Sequence, residues 1–321
     1  MGRTEELIKV IDTNINHMIS LSVLHLAQLG IKYGIFKIVA GRPSYSELLS
    51  QVSVPNKSLL KRLVDHLEAL GIIEETPGRL ILNGFSYELK FPKEEYMLLL
   101  PDWIPIFEEI YKMVDFALIS PDHPYVLMDF DKDADFWDMR LSSSFHSAYR
   151  ELVLRLTGLK EGSYVLDLGC GSVSPAYFGR FIGEDGRYLG VDYSPALLEI
   201  ARARVEKMNL PVELKEMDVG LIKPRTSYDV AIMTFTMEYL TNRREVLRKV
   251  MDSLNSGGKL VVVDAFRDEF KNVEALEFFE GLNDSFVGFP SRAEVKEYIL
   301  GEGFDVSFEE HGKSVLVVKK L

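Results

Sequence analysis

The sequence predicts an α/β protein: a parallel sheet wrapped by helices, with a reversed last strand, behind a mainly helical amino-terminal region. Three observations carry this. Short apolar strands alternate with amphipathic helices from about Gly162 onward, the chain closes on a hairpin pattern, and the residues up to about Lys90 show helical spacing that ends in strand, turn and strand.

At 321 residues the chain is long enough for two folding units, or three. Apolar residues are 47% and charged residues 27%, an ordinary globular composition with ample core material. Lys plus Arg number 37 against 49 Asp plus Glu, a net charge of −12 that repels a phosphate backbone. Nucleic acid is therefore not an expected partner. The amino terminus, MGRTEELIKVIDTN, lacks the apolar core of a signal peptide, and no stretch approaches the roughly 18 uncharged residues of a membrane span. A cytoplasmic protein without a membrane partner is expected. Cys170 is the single cysteine, so neither an intrachain disulfide nor a cysteine zinc cage can form, and no metal is expected.

The first region, residues 1–90, reads as a winged helix-turn-helix. Ser44 or Ser46 caps a short helix; a second follows over about Asn56 to Ala69, with Leu59, Leu60, Leu63 and Leu67 at helical spacing and Gly71 as its stop. Ile72 to Glu74, a turn at Pro77 and Gly78, and Leu80 to Leu82 supply the wing. In a DNA reader the second helix would enter the major groove, but here Lys57, Lys61 and Arg62 share it with Asp65 and Glu68. The preceding stretch is apolar over more faces than one winged helix covers, which predicts a homodimer. Residues 91–159 form a helical linker and lid with breaks at Pro101, Pro105, Pro121 and Pro124. They carry eleven notable aromatics: Tyr96, Trp103, Phe107, Tyr111, Phe116, Tyr125, Phe130, Phe136, Trp137, Phe145 and Tyr149. Most are expected in plain core, a minority on an apolar substrate pocket. Residues 160–321 hold the strands YVLDLG, RYLGVD, VELKEMD, YDVAIMTF and KLVVVDAF, then the closing hairpin GFDVSFEE and SVLVVKKL.

The chemistry gathers where these strands end. VLDLGCGS, Val165 to Ser172, runs a strand into a turn whose Gly169 and Gly171 let backbone approach a ligand. A dinucleotide fingerprint would need glycine at position 174, where Ser174 stands, so a pyrophosphate site is opposed. The second strand ends in Asp192, at the interval where an acid reaches ribose hydroxyls, and the third ends in Asp218. With Asp167 they form a run of acidic strand ends. No Lys or Arg lies in the loop, so the ligand they suit is an adenosine carrying positive charge.

These residues resemble the class I S-adenosylmethionine-dependent methyltransferases. The resemblance implies a Rossmann-like seven-stranded sheet with an antiparallel last strand, and S-adenosyl-L-methionine as cofactor. It would put Gly169 and Gly171 under the methionyl and ribose parts and Asp167 near the methionyl amine. Asp192 and its neighbour Tyr193 would lie at the ribose, Asp218 and Val219 at the adenine, and Thr234 and Phe235 near the sulfonium methyl. The whole chain resembles two-domain small-molecule O-methyltransferases with an amino-terminal winged-helix dimerisation domain. FWDMRLSSSFHS, Phe136 to Ser147, stands where that group has a substrate-lining helix, which implies Trp137, Met139 and Tyr149 as substrate contacts.

Two departures from that group matter. Val173 stands where a third glycine is common, and the catalytic His beyond the fourth strand is absent from TFTMEYLTN. Glu238 would replace it if burial raises its pKa, and His146 or Tyr149 would reach in from the preceding helix; Glu238 and His146 are the candidate catalytic groups. A phenol needs a base at neutral pH, whereas a neutral amine or an ionised enol does not. The sequence therefore points to a methyltransferase acting on a small apolar or aromatic acceptor at oxygen or nitrogen. A winged-helix regulator that senses S-adenosylmethionine and a nicotinamide-dependent enzyme are the alternatives, opposed by the acidic charge and by Ser174 respectively. His17, His25 and His66 are expected to be structural.

Overall fold

The structure, a computed structural model, describes residues 2–120, 128–223 and 227–321; Pro121, Pro124 and Tyr125 lie outside it. The chain opens with α1 (Arg3–Lys32), whose buried Leu7, Ile11, Ile15, Ile19, Val23 and Leu26 recur at helical spacing along one face. That face is spent on distant helices of the same chain as well as local ones, since α1 packs most heavily on α8 (Ser144–Thr157) and α12 (Val273–Glu280).

After α2 (Ile35–Val39), α3 (Tyr45–Gln51) starts at Ser44. Its hydroxyl accepts from Glu47 N, and Glu47 returns a carboxylate to Ser44 N at 2.6 Å, so Ser44 rather than Ser46 is the cap. Asn56 caps α4 (Lys57–Ala69), which buries Leu59, Leu60, Leu63, Val64 and Leu67. A hairpin of β1 (Ile73–Thr76) and β2 (Arg79–Leu82) completes the group, with Gly78 at φ +71° in its turn.

The linker holds a short α5 (Lys93–Tyr96), α6 (Ile104–Ile119), α7 (Ala134–Leu141) and α8. Pro105 does not break this region as expected. It lies in the first turn of α6, where the missing N–H has no partner to lose, so it starts a helix instead of ending one.

The remaining chain runs β3 (Tyr164–Leu168), α9 (Ser174–Phe178), β4 (Arg187–Asp192), α10 (Pro195–Lys207), β5 (Val212–Glu216), β6 (Tyr228–Thr234), α11 (Arg243–Ser253), β7 (Leu254–Val263), α12, α13 (Arg292–Gly301), β8 (Val306–His311) and β9 (Val315–Lys320). They form one seven-stranded sheet in the order β5-β4-β3-β6-β7-β9-β8. Pairings from β5 through β7 are parallel, and β9 runs antiparallel to both β7 and β8, as the closing hairpin required. Strand order reverses between β3 and β6, which opens a crevice at their carboxyl ends. Among the described residues no helix is long and apolar enough to cross a membrane.

Candidate active site

At that crevice one continuous cavity of about 290 Å³ joins the sheet to the amino-terminal helices. Of the residues named from sequence, Gly169, Gly171, Asp192, Tyr193, Asp218, Val219, Thr234, Phe235, Glu238, His146, Trp137 and Tyr149 all line it.

The glycine turn after β3 is held open by geometry. Gly169 has φ +70° and Gly171 φ +57°; a Cβ on the first would strike Thr236, and one on the second would come within 2.8 Å of Leu141 Cδ1. Asp192 braces the turn by accepting from Gly171 N at 2.8 Å through one oxygen and from Ser194 N at 3.0 Å through the other. Further lone pairs remain for a diol. Asp218 accepts from Gly220 N at 2.7 Å through Oδ1 alone. Facing Tyr193, Phe130 packs edge-on at 5.9 Å, and Asp131 latches its segment to the start of α10 by accepting from Ser194 Oγ at 2.6 Å and Ala196 N at 3.2 Å.

Two expectations are corrected. Asp167 is not on the cavity wall: it is buried beneath the turn, where its carboxylate accepts from the Tyr188 hydroxyl, and burial raises its pKa to about 7. Met139 is half exposed and outside the cavity. Trp137, Arg140 and Leu141 of α7 face inward at i, i+3 and i+4, and Met139, two residues from Trp137, falls on the opposite face. Val173 does not line the cavity either. The aromatics reverse the expected balance. Six of the ten described ones, Trp103, Phe107, Phe130, Trp137, Phe145 and Tyr149, line the cavity, while Tyr96 and Phe116 are exposed.

The wall beyond β6 is polar. Phe235 holds a left-handed φ of +49°, a strained conformation for a bulky residue, fixed by its N–H on Val263 O at 2.9 Å. Three residues on, Glu238 is 3% exposed and its carboxyl lies against that of the fully buried Asp264, an arrangement that favours one proton held between the two. Burial first, then the charge of Asp264, pushes the Glu238 pKa well up. His146 is pushed the other way: burial, then Arg150 and Arg140, hold it well below its ordinary value, so it is a neutral imidazole at pH 7. Its Nδ1 pairs with Ser143 Oγ at 2.9 Å. Arg140, also on the cavity wall, stacks on Trp137, 4.9 Å from the ring centre, and donates to Glu280 at 2.5 Å. Tyr149, raised to about 12 by burial, bonds Thr234.

Sequence reasoning missed Asp264, Arg140 and Asp138. The first had a signal, since KLVVVDAF ends in an acid like the strands before it. Asp138 clamps α7 to the glycine turn by accepting from Ser172 Oγ at 2.5 Å and from Arg204 at 2.5 and 2.8 Å; it and Arg140 looked like any charged residues on a helix. His17, His25 and His66 lie off the cavity against Trp103, Tyr111 and Phe278.

Comparison with known proteins fits this geometry. A model of the methyltransferase domain matches residues 166–260. An uncharacterized protein of Methanocaldococcus jannaschii is 33% identical over 320 residues, 98% of this chain and 87% of that protein. The chain belongs to the methyltransferase family. The methyltransferase is also 26% identical to a ubiquinone/menaquinone biosynthesis C-methyltransferase of Edwardsiella ictaluri over 42% of its own length, spanning 56% of that protein. The fold likeness is broader: the CurJ carbon methyltransferase superposes with a TM-score of 0.62 at 14% identity, covering 99% of this chain and 98% of that one.

Proposed function

We propose that the protein transfers a methyl group from S-adenosyl-L-methionine to a small apolar or aromatic acceptor. The observation that carries this reading is the single cavity linking the glycine turn and the Asp192 and Asp218 strand ends to a buried Glu238–Asp264 pair. Gly169 and Gly171 would pass under the methionyl and ribose parts, Asp192 would accept from the ribose hydroxyls, and Asp218 with Val219 would hold the adenine edge. Asp167, below the turn, would act on the methionyl amine only through field. When bound, the cofactor supplies a methyl group activated on a sulfonium. The protein's part is to align the acceptor and take its proton. A Glu238–Asp264 pair carrying one proton takes a second, the acceptor's, at Glu238 while passing the first to Asp264; neutral His146 is the other base within the cavity. Oxygen and nitrogen are the acceptor atoms expected from sequence, and the relative named as a C-methyltransferase adds an enolisable carbon. Titration calorimetry tests the cofactor: S-adenosylhomocysteine should bind, and NAD binding in its place would overturn the reading.

The same reading takes residues 1–90 as a winged-helix dimerisation domain, 91–159 as linker and lid, and 160–321 as the cofactor-binding domain. Against DNA reading, Arg62 of α4 is committed inside the chain, donating to the Glu277, Phe278 and Gly281 carbonyls at the end of α12. A homodimer is supported by Ile31, Phe116 and Ile119, exposed where Lys32 bridges to Asp115 at 2.6 Å. Light scattering should give twice the chain mass at micromolar concentration; a monomer would contradict the dimer.

A further inference from the structure

We propose that the acceptor is amphipathic, its reacting head lying among Glu238, His146 and Arg140 and an apolar chain running away from the cofactor into a pocket between α1, α6 and α12. This rests on the methyl-transfer reading for the head; the chain site stands on the shape and chemistry of the far end of the cavity. That end is walled by Ile15 and Met18 of α1, Ile106, Phe107 and Ile110 of α6, and Leu276 of α12. None of these side chains has a donor or acceptor apart from the weak thioether of Met18.

His17 and His25 pack behind this wall against Trp103 and Phe107 without lining the cavity, and the polar group that meets the Trp103 indole is already used. Asn14, fully buried, gives its amide hydrogens to Val10 O at 2.7 Å and Leu98 O at 3.0 Å. Its oxygen accepts from Leu100 N at 3.0 Å and from the Trp103 indole at 2.9 Å. The indole, the one strong donor among the cavity side chains at this end, is thus turned to protein. Among the described residues that line this end, no side chain has a free strong donor or acceptor to orient a polar ligand, and apolar cavities of this kind stay dry until an apolar molecule fills them. A compact acceptor confined to the polar waist would leave the far pocket empty and its lining without contact partners. A chain attached to the head fills both.

The division of labour also accounts for α1. A winged-helix module for DNA or for dimerisation alone has no need to send Ile15 and Met18 into the cavity of the cofactor domain, yet α1 lies along α8 and α12 and does so. The amino-terminal helix thereby contributes the acceptor's length selectivity.

The probes are 4-alkylphenols from ethyl to heptyl, titrated by calorimetry into the full chain with and without saturating S-adenosylhomocysteine. Each added methylene should tighten binding about fourfold until the pocket is full. Ile110→Trp, which occupies the far end, should flatten the series, and so should Met18→Trp; S-adenosylhomocysteine binding and the melting temperature report whether each variant is folded. A series that is flat in the parent, or that persists undiminished in both folded variants, overturns the proposal. Failure of the parent to bind S-adenosylhomocysteine strikes the methyl-transfer reading instead, and the chain-length series without it still decides the pocket.

Discussion

Replacing Asp192 by Ala should reduce S-adenosylhomocysteine affinity by about 1.5 to 3 kcal/mol for each ribose hydroxyl it releases, roughly 10- to 150-fold per bond. The carboxylate is well placed for this because its bonds to Gly171 N and Ser194 N leave lone pairs on both oxygens. Those bonds also brace the glycine turn, so Asp192→Asn makes a sharper comparison: it keeps the shape and one acceptor and should lose less. Calorimetry reads both, and an Asp192→Ala protein that binds like its parent would remove Asp192 from the site.

The second large effect is on turnover. If the Glu238–Asp264 pair receives the acceptor's proton, Glu238→Gln should slow methyl transfer about 100-fold, while His146→Ala should matter less. If both variants stay within about threefold of the parent, alignment alone accounts for the rate and the base assignment is wrong. Glu238→Gln carries an independent sign on stability. The folded-state pKa of Glu238 is raised far above the unfolded value of about 4.3, so the native state keeps a proton that the unfolded chain releases. Its favourable share is complete below pH 4 and is lost as pH rises toward the folded pKa, with a slope of at most about 1.4 kcal/mol per pH unit. The Gln variant, with nothing to ionise there, should gain on the parent as pH rises above 5. Thermal melts across pH 5 to 8 check this, and parallel curves for the two proteins would contradict the shared proton.

The parts of the fold most legible in sequence were those written locally. The strands of the sheet were apolar runs ending in glycine or acid, the reversed last strand followed from a hairpin, and a start of α3 at Ser44 or Ser46 from a capping pattern. Gly169, Gly171, Asp192 and Asp218 were visible because the crevice of an open sheet collects residues from consecutive strand ends. What stayed hidden depended on tertiary approach. Met139 was placed by similarity of motif, but the face of α7 is set by the Asp138 clamp on Ser172 and Arg204, made 34 and 66 residues away in sequence. Ile15 and Met18 gave no hint of a site because α1 reaches the cavity only by crossing to α8 and α12. Asp264 was readable as another acidic strand end, but its weight comes from lying against Glu238.

On the proposed function, the crevice at the carboxyl ends of β3 to β6 holds S-adenosylmethionine with its reactive end toward Glu238 and His146. A crystal structure of the protein with S-adenosylhomocysteine tests it most directly. Ribose hydroxyls should lie within hydrogen-bonding distance of Asp192, adenine beside Asp218 and Val219, and the sulfur should face the open waist near Phe235. A nucleoside bound away from Asp192, or a sulfur turned from Glu238 and His146 toward solvent, would contradict it.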